Sequence, residues 1–403
     1  MDADVIVVGA GPAGSAAAAQ LAHAGHDVLL IDKVAFPRDK TCGDAITPRG
    51  VRALQHLGAF ESIAARAHRL DGASLVSPSG LTLRVSFNDV LRDWPPFALV
   101  LPRVQMDDLL LAFALSKGAR FMGECRVVGL FETSGGAGVI ARQGPEDRPV
   151  AWSARTVVLA VGAHMSLLQQ AGLLRETPPV ISAARAYWQN VDGDPDNLCF
   201  YFDRRLPLGY AWLFPTGPRQ ANIGLGVFPG SPARQGQSTP ALLADFVRHY
   251  PPLRERLQRA GPVGPTRAFP IRADFPPPRL TQNRFLLVGE ACGLVNPVTG
   301  EGIDLALESG LIAAESIHHA LKARASASAP FERYEQALRR RFSAYFRELR
   351  WLRNIVMRRR PLEILIDRSS RRPDLLAVIT RLSLGLISPR VAFSPRVWRD
   401  LLF

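Results

Sequence analysis

Gly9, Gly11 and Gly14 stand at G-x-G-x-x-G spacing, and Asp32 follows 18 residues after Gly14. Glycines so placed suit pyrophosphate binding. Gly9 allows a tight turn, Gly11 lets the backbone approach the anion, and Gly14 lets a helix sit close on a sheet with its free N–H groups facing the ligand. Asp32 can then accept a ribose hydroxyl. The implied chemistry is dinucleotide binding, with FAD and NAD equally compatible; the plain alternative is a glycine turn that holds nothing. A second group, Tyr210, Trp212 and Phe214, recurs at i, i+2 and i+4, so in a strand all three side chains share one face. Such a wall suits an apolar ligand, or simply a covering helix. Cys42, Cys125, Cys199 and Cys292 lie far apart with no C-x-x-C pair, so no metal site is expected, and scattered thiols suggest a reducing compartment.

These residues need elements to hold them. Val5 to Val8 reads as a buried parallel strand, followed by an alanine-rich helix and a second strand, VLLID, ending at Asp32. Thr47 as N-cap, Pro48 at the first helical position and Gly58 as a stop predict a helix over 48–57. The spacing predicts another over 104–117, with Met106, Leu109, Leu110 and Phe113 on one face, Arg103 at its start and Gly118 at its end. Strand-like runs follow at 119–133 and 137–143, and the apolar run at 156–162 suits a central parallel strand. From 178 to 276 alternating segments between Pro, Gly and Asn turns predict an antiparallel sheet. Residues 71–96 read as strands that leave the first domain and return to it, and at Arg284 the chain re-enters that domain through FLLVG.

A chain of 403 residues exceeds the usual single core, and 47% hydrophobic against 21% charged residues places it among globular chains. The net charge of +13 is concentrated: residues 331–403 hold 17 Arg and 7 Asp or Glu. No nucleic-acid-binding module is recognisable, so no nucleic acid is expected as a partner. The dinucleotide motif begins at residue 5, which leaves no room for a signal peptide before it and favours a cytoplasmic location. An alanine/serine run ending at Pro330 reads as a linker.

GAGPAG at 9–14, Arg103 with Asp107 four residues on, and GEACGLVNPVTGEGI at 289–303 together resemble the FAD-binding signature of the p-hydroxybenzoate hydroxylase-like flavoproteins. Within that group, CGDAITPRG at 42–50 and YAWLFP at 210–215, followed by ANIGLG, resemble the geranylgeranyl reductase family. The likeness spans residues 5 to about 320. The fold class it implies is α/β: a Rossmann-like FAD-binding domain with a parallel sheet, an antiparallel-sheet substrate domain and a helical C-terminal tail. The corresponding boundaries are 1–70, 97–177 and 277–322 for the discontinuous FAD-binding domain, 71–96 and 178–276 for the substrate domain, and 323–403 for the basic helical region.

The resemblance implies that Gly9, Gly11, Ala13, Gly14 and Asp32 hold the ADP half of FAD, that Arg103 reaches the phosphate or ribityl region, and that backbone at Val127 contacts the adenine. Cys42, Gly43 and Ala45 would line the flavin, Glu290 would bind a cofactor hydroxyl near the pyrophosphate, and Gly302 with Ile303 would present N–H groups to the flavin pyrimidine. A helix starting near Glu301 would aim its positive end at the N1/O2 edge, where a reduced flavin carries negative charge. Three departures stand out: Ala160-Val161-Gly162 where the family has A-D-G, Gly289-Glu290-Ala291 for G-D-A, and Phe214-Pro215-Thr216 where archaeal members often have F-P-K.

The expected activity is reduction of carbon–carbon double bonds in a prenyl or similar apolar substrate, with Tyr210, Trp212 and Phe214 as the substrate wall. Cys42 is either a catalytic thiol relaying the accompanying proton or a small buried loop residue. An FAD-dependent monooxygenase is the alternative, because the same fold supports hydroxylation and epoxidation. A flavin halogenase is less favoured, since those enzymes rely on a lysine some tens of residues after the glycine motif and none occurs between Lys40 and Lys117. No second glycine-rich βαβ unit is present for NAD(P)H, so the outside electron donor is either a transiently bound NAD(P)H or a ferredoxin-like protein. In the tail, Leu338, Phe342, Tyr345, Phe346, Leu349, Leu352 and Val356 recur at helical spacing among arginines. This basic amphipathic pattern suits peripheral contact with an anionic membrane through 338–360, or packing against the body with a solvated arginine face.

Overall fold

The computed structural model describes the chain apart from residues 235, 324–328, 396, 398 and 400–403. The alanine/serine run read as a linker lies largely outside the described residues. The first strand, Ala3–Val8, sits in the middle of a parallel sheet. On one side it pairs with Val28–Ile31 and then Arg120–Met122; on the other it pairs with Arg148–Leu159 and then Phe285–Leu287. All of Val5, Ile6 and Val7 are fully buried, as strands covered on both faces require. The helix Pro12–His23 covers one face and packs on Ile303–Lys322, so the two ends of the dinucleotide fold meet here.

One strand is longer than the sequence pattern suggests. The apolar run at 156–162 is the end of Arg148–Leu159, whose first half forms an antiparallel ladder with Ala137–Gln143, itself paired with Cys125–Glu132. The polar alternation of that first half hides its continuity with the buried half. The helix at 48–57 matches the expectation: Thr47 accepts from the Gly50 N–H, and Gly58 ends the helix at φ 84°. Its neighbour runs Arg103–Ser116, and its most buried apolar positions are Met106, Leu110, Leu111 and Ala114, not Leu109 and Phe113.

A second sheet of seven strands stands beside the first. Its order by residue range is 261–272, 180–189, 220–227, 209–217, 197–201, 72–76 and 82–86. Pairing is antiparallel except between Asn197–Tyr201 and Gly72–Val76, which run parallel because 72–86 is inserted from a distant part of the chain. A small third sheet of 45–46, 98–100 and 68–70 packs beside the strand 209–217 of the second.

The helices Ala329–Val356, Arg359–Arg371 and Pro373–Ser383 form the C-terminal region. Tyr334, Leu338, Phe342, Phe346 and Leu349 are buried against the body, and Phe342 and Phe346 pack on Phe275. The apolar stripe on which contact with a membrane rested therefore faces inward, where it buries large side chains at about 1.5–3 kcal/mol each. Among the described residues no helix is long and apolar enough to cross a membrane.

Candidate active site

A cavity of about 880 Å³ runs from the glycine turn to the second sheet. Gly9, Gly11, Ala13, Asp32, Cys42, Gly43, Ala45, Arg103, Val127, Glu290, Gly302 and Ile303 line it, as do Tyr210, Trp212 and Phe214. Of the candidate cofactor and substrate residues, Gly14 alone lies behind its wall, where it sets the turn. A Cβ on Gly14 would stand 1.8 Å from the Gly9 carbonyl oxygen, so only glycine lets the helix approach this closely. Gly9 has φ 103° and also needs to be glycine. At Gly11 the space beyond the backbone is open, flanked by the guanidinium groups of Arg38 and Arg103 at 3.7 and 4.0 Å from where a Cβ would be.

Asp107 holds those two cations in place. It pairs with Arg103 through two hydrogen bonds of 2.7 and 2.8 Å, and with Arg38 at 2.9 Å. Asp107 is fully buried, so the pair of arginines it anchors presents fixed positive charge to the glycine turn. Asp32 has a structural task as well as its place in the cavity: Oδ2 accepts from the Ala10 N–H at 2.8 Å and so ties the second strand to the glycine turn. Glu290 accepts from Lys40 at 3.1 Å and from the Arg272 backbone N–H at 3.2 Å. The helix after the GEG turn starts at Ile303 with Gly302 as its cap, two residues later than expected from Glu301. Its N-terminal end points toward the cavity that Gly302 and Ile303 line.

The aromatic wall depends on its neighbouring strand. In register, Tyr210 faces Gly226, Trp212 faces Gly224, and Phe214 faces Asn222. Each ring therefore lies beside a small or polar residue. A Cβ on Gly224 would stand 2.3 Å from the Trp212 ring, so this glycine makes room for the indole. Trp212 and Phe214 stack at 6.0 Å with 24° between planes and lean on the Cys42–Gly43 backbone; Phe214 lies 3.0 Å from a Gly43 Cβ position. The tyrosine hydroxyl of Tyr210 donates to the Thr299 carbonyl and so joins the wall to the GEG turn.

Beneath the Cys42–Gly43 turn lies a polar network that the sequence did not reveal. Asn222, fully buried, accepts from Trp212 Nε1 at 3.0 Å and donates to the Cys42 carbonyl and to Asp44 Oδ2, both at 2.7 Å. Tyr187 also donates to Asp44 Oδ2 at 2.7 Å, and the Arg103 N–H reaches Asp44 Oδ1 at 3.3 Å. Burial pushes the Asp44 carboxyl up to about 6, held from rising further by the hydrogen bonds from Tyr187 and Asn222. Burial and the adjacent Asp44 raise Tyr187, which keeps its proton and remains a donor. Asp44 takes φ 65°, a conformation uncommon for a non-glycine residue and tolerated best by Asp and Asn.

The residues present fit an FAD. The bare glycine backbone and two anchored guanidiniums suit a pyrophosphate, and Val127, the GEG turn and Cys42–Gly43 line the same cavity. The volume is near the top of the roughly 300–1,000 Å³ usual for ligand sites, which leaves space beyond a cofactor on the side of the second sheet.

Comparison with known proteins agrees with this geometry. The FAD binding domain family matches residues 2–348. The chain is 34% identical to the menaquinone reductase of Mycolicibacterium smegmatis over 78% of this chain and 76% of that protein. It is 32% identical to digeranylgeranylglycerophospholipid reductase 1 of Methanothermobacter thermautotrophicus, with the same shares covered. Among solved structures, a geranylgeranyl bacteriochlorophyll reductase-like protein from Thermoplasma acidophilum superposes with TM-score 0.83 at 24% identity over 99% of both chains. A flavin-dependent brominase shares the fold at TM-score 0.79 and 20% identity, again over 99% of both.

Proposed function

The chain belongs to the FAD binding domain family and, within it, to the geranylgeranyl reductase group; from that premise we propose that it reduces carbon–carbon double bonds in the prenyl part of an apolar substrate. It is an FAD-dependent oxidoreductase. One observation carries the finer reading. On the side of the second sheet the cavity is lined by Ile181, Leu198, Phe200, Tyr210, Trp212, Phe214, Phe228 and Ile271, without a charged side chain apart from Arg267 near the loop that carries Asp39. A surface of that kind accepts an isoprenoid chain and offers a charged or strongly polar substrate nothing in return for its lost water.

In this reading Arg38, Arg103 and the glycine turn bind the cofactor phosphates, and Gly302 with Ile303 presents backbone N–H groups to the ring. Bound and reduced, FAD supplies hydride. The protein's remaining tasks are to lay a double bond between the ring site and the Trp212–Phe214 wall, to exclude water, and to supply a proton for the carbon that receives no hydride. The Cys42 thiol and the Glu301 carboxyl both line the cavity and are side chains of proton-donor type. The outside donor is NAD(P)H bound transiently or a ferredoxin-like protein. The test is anaerobic: reduced protein is mixed with a prenylated quinone or a geranylgeranyl lipid, and the flavin spectrum is followed. Reoxidation without oxygen, with product two hydrogens heavier, is expected; reoxidation confined to oxygen, with product one oxygen heavier, would indicate a monooxygenase.

A further inference from the structure

We propose that Glu301 is the acid that delivers the proton of the reduction, an inference that rests on the double-bond reduction proposed above. Five carboxyl groups line the cavity, and four of them are engaged as acceptors. Asp32 takes the N–H groups of Ala10 and Val34. Asp39 is paired with Arg185 and Arg267. Asp44 takes three donors, and Glu290 takes Lys40 and a backbone N–H. The oxygens of these four are already occupied by donors and are tied into the walls of the cavity. Glu301 differs: among the described residues its carboxyl makes no ion pair, and its hydrogen-bonding neighbour is the Thr299 hydroxyl.

The turn that carries Glu301 is fixed from both sides. The Asn296 N–H donates to the Glu301 carbonyl at 2.7 Å, Asn296 Oδ1 accepts from Val298 and Thr299, and the Tyr210 hydroxyl donates to the Thr299 carbonyl. Glu301 therefore stands where the ring-facing turn of Gly302 and Ile303 meets the aromatic wall. Charged groups around it are few. Asp304 follows on the same helix; Arg49 faces it from the helix Pro48–Leu57, and Tyr345 from the long C-terminal helix. Arg49 is already taken by Glu308 at 2.5 Å and lies 4.0 Å from Asp304. Burial, reinforced by Asp304 and only partly countered by Arg49, lifts the Glu301 carboxyl well above the ordinary range. A carboxyl kept neutral here also spares a reduced, negatively charged ring a like charge at close range.

The step balances. One alkene carbon takes hydride from the two-electron-reduced flavin, and the other takes the Glu301 proton. Two C–H bonds form while the π bond, the Glu301 O–H bond and the flavin bond that held the hydride break; the alkene is reduced by two electrons and the flavin oxidised by two. Glu301 is left as a half-buried carboxylate without an ion-pair partner and regains a proton from water.

The experiment uses the full-length flavin-loaded protein and its Glu301→Gln and Glu301→Asp variants. Infrared difference spectra in H2O and D2O read the protonated carboxyl directly, without turnover. Anaerobic mixing with a geranylgeranyl lipid reads flavin reoxidation. The expected result is a protonated-carboxyl band near neutral pH that Glu301→Gln removes, normal flavin content and reduction, and reoxidation by the lipid slowed at least about 100-fold. Glu301→Asp should restore part of the rate. In the wild type that rate should fall as pH rises through the raised carboxyl pKa, and in Glu301→Gln this limb should vanish. A Glu301→Gln protein that is reoxidised at the wild-type rate, or a wild type without the band, overturns the inference alone. A wild type that no prenyl lipid reoxidises overturns the functional reading beneath it.

Discussion

Asn222→Leu tests whether the buried network under the Cys42–Gly43 turn holds the active site together. The substitution nearly preserves volume but removes three hydrogen bonds, to Trp212 Nε1, the Cys42 carbonyl and Asp44. Asp44 keeps Tyr187 and the Arg103 N–H, whereas the indole N–H and the Cys42 carbonyl are left without their partner. At about 1–3 kcal/mol for each buried group left bare, the loss is about 2–6 kcal/mol. Part of it should appear as global instability in urea unfolding, and part as weaker flavin binding, because the turn lines the ring end of the cavity. Every 1.4 kcal/mol that falls on binding weakens the flavin about tenfold. The pH dependence gives an independent readout. A carboxyl raised from 3.8 to about 6 holds its proton more tightly in the native state than in the unfolded chain. Its contribution to stability is full below pH 4 and is lost as pH rises through about 6, roughly 3 kcal/mol in all. Without the Asn222 hydrogen bond the Asp44 pKa rises, so the loss should extend to higher pH in the variant. A variant within 1 kcal/mol of wild type, with unchanged flavin affinity and an unchanged pH curve, would refute this account of the network.

Other outcomes follow from the same contacts. Gly14→Ala places a Cβ 1.8 Å from the Gly9 carbonyl oxygen, so the protein should purify without flavin, which absorbance near the flavin bands checks. Gly224→Ala would bring a methyl to 2.3 Å from the Trp212 ring and 2.4 Å from the Ala184 carbonyl oxygen; a loss of about 1–3 kcal/mol and a raised KM for a prenyl substrate are expected, with the cofactor phosphate site intact. A chain that ends before Ala329 exposes the surfaces now covered by Tyr334, Leu338, Phe342 and Phe346, and should be recovered unfolded or aggregated by size exclusion. Recovery as a folded monomer would refute a role for the tail in the core.

The parts of this molecule legible in the sequence are those with local causes. The glycine turn and Asp32 lie within one βαβ unit, Thr47 and Gly58 bracket their helix by capping alone, and the period of two in YAWLFP places three rings on one face. The partners of Asp44 are of another kind. Tyr187 and Asn222 lie 143 and 178 residues away, and only the packing of the second sheet against the 42–44 turn brings them together. For that reason the sequence alone points to Cys42 and not to its neighbour Asp44. A usable signal did exist: Asn222 interrupts the apolar alternation of ANIGLG at the position opposite Phe214, and an inward polar residue needs a partner. The stripe at 338–356 was readable as amphipathic, but periodicity does not tell lipid from protein as the surface that covers it. Glu301 carries no signal of its own between two glycines, and its lack of an ion-pair partner emerges only in the fold, where Arg49 engages Glu308.

The central claim is tested most directly by anaerobic stopped-flow mixing of the reduced flavoprotein with a geranylgeranyl lipid or prenylated quinone, followed by mass spectrometry of the product. Flavin reoxidation in the absence of oxygen, with product two hydrogens heavier, is the expected result. Flavin that stays reduced until oxygen is admitted, with product gaining one oxygen or unchanged, would contradict it.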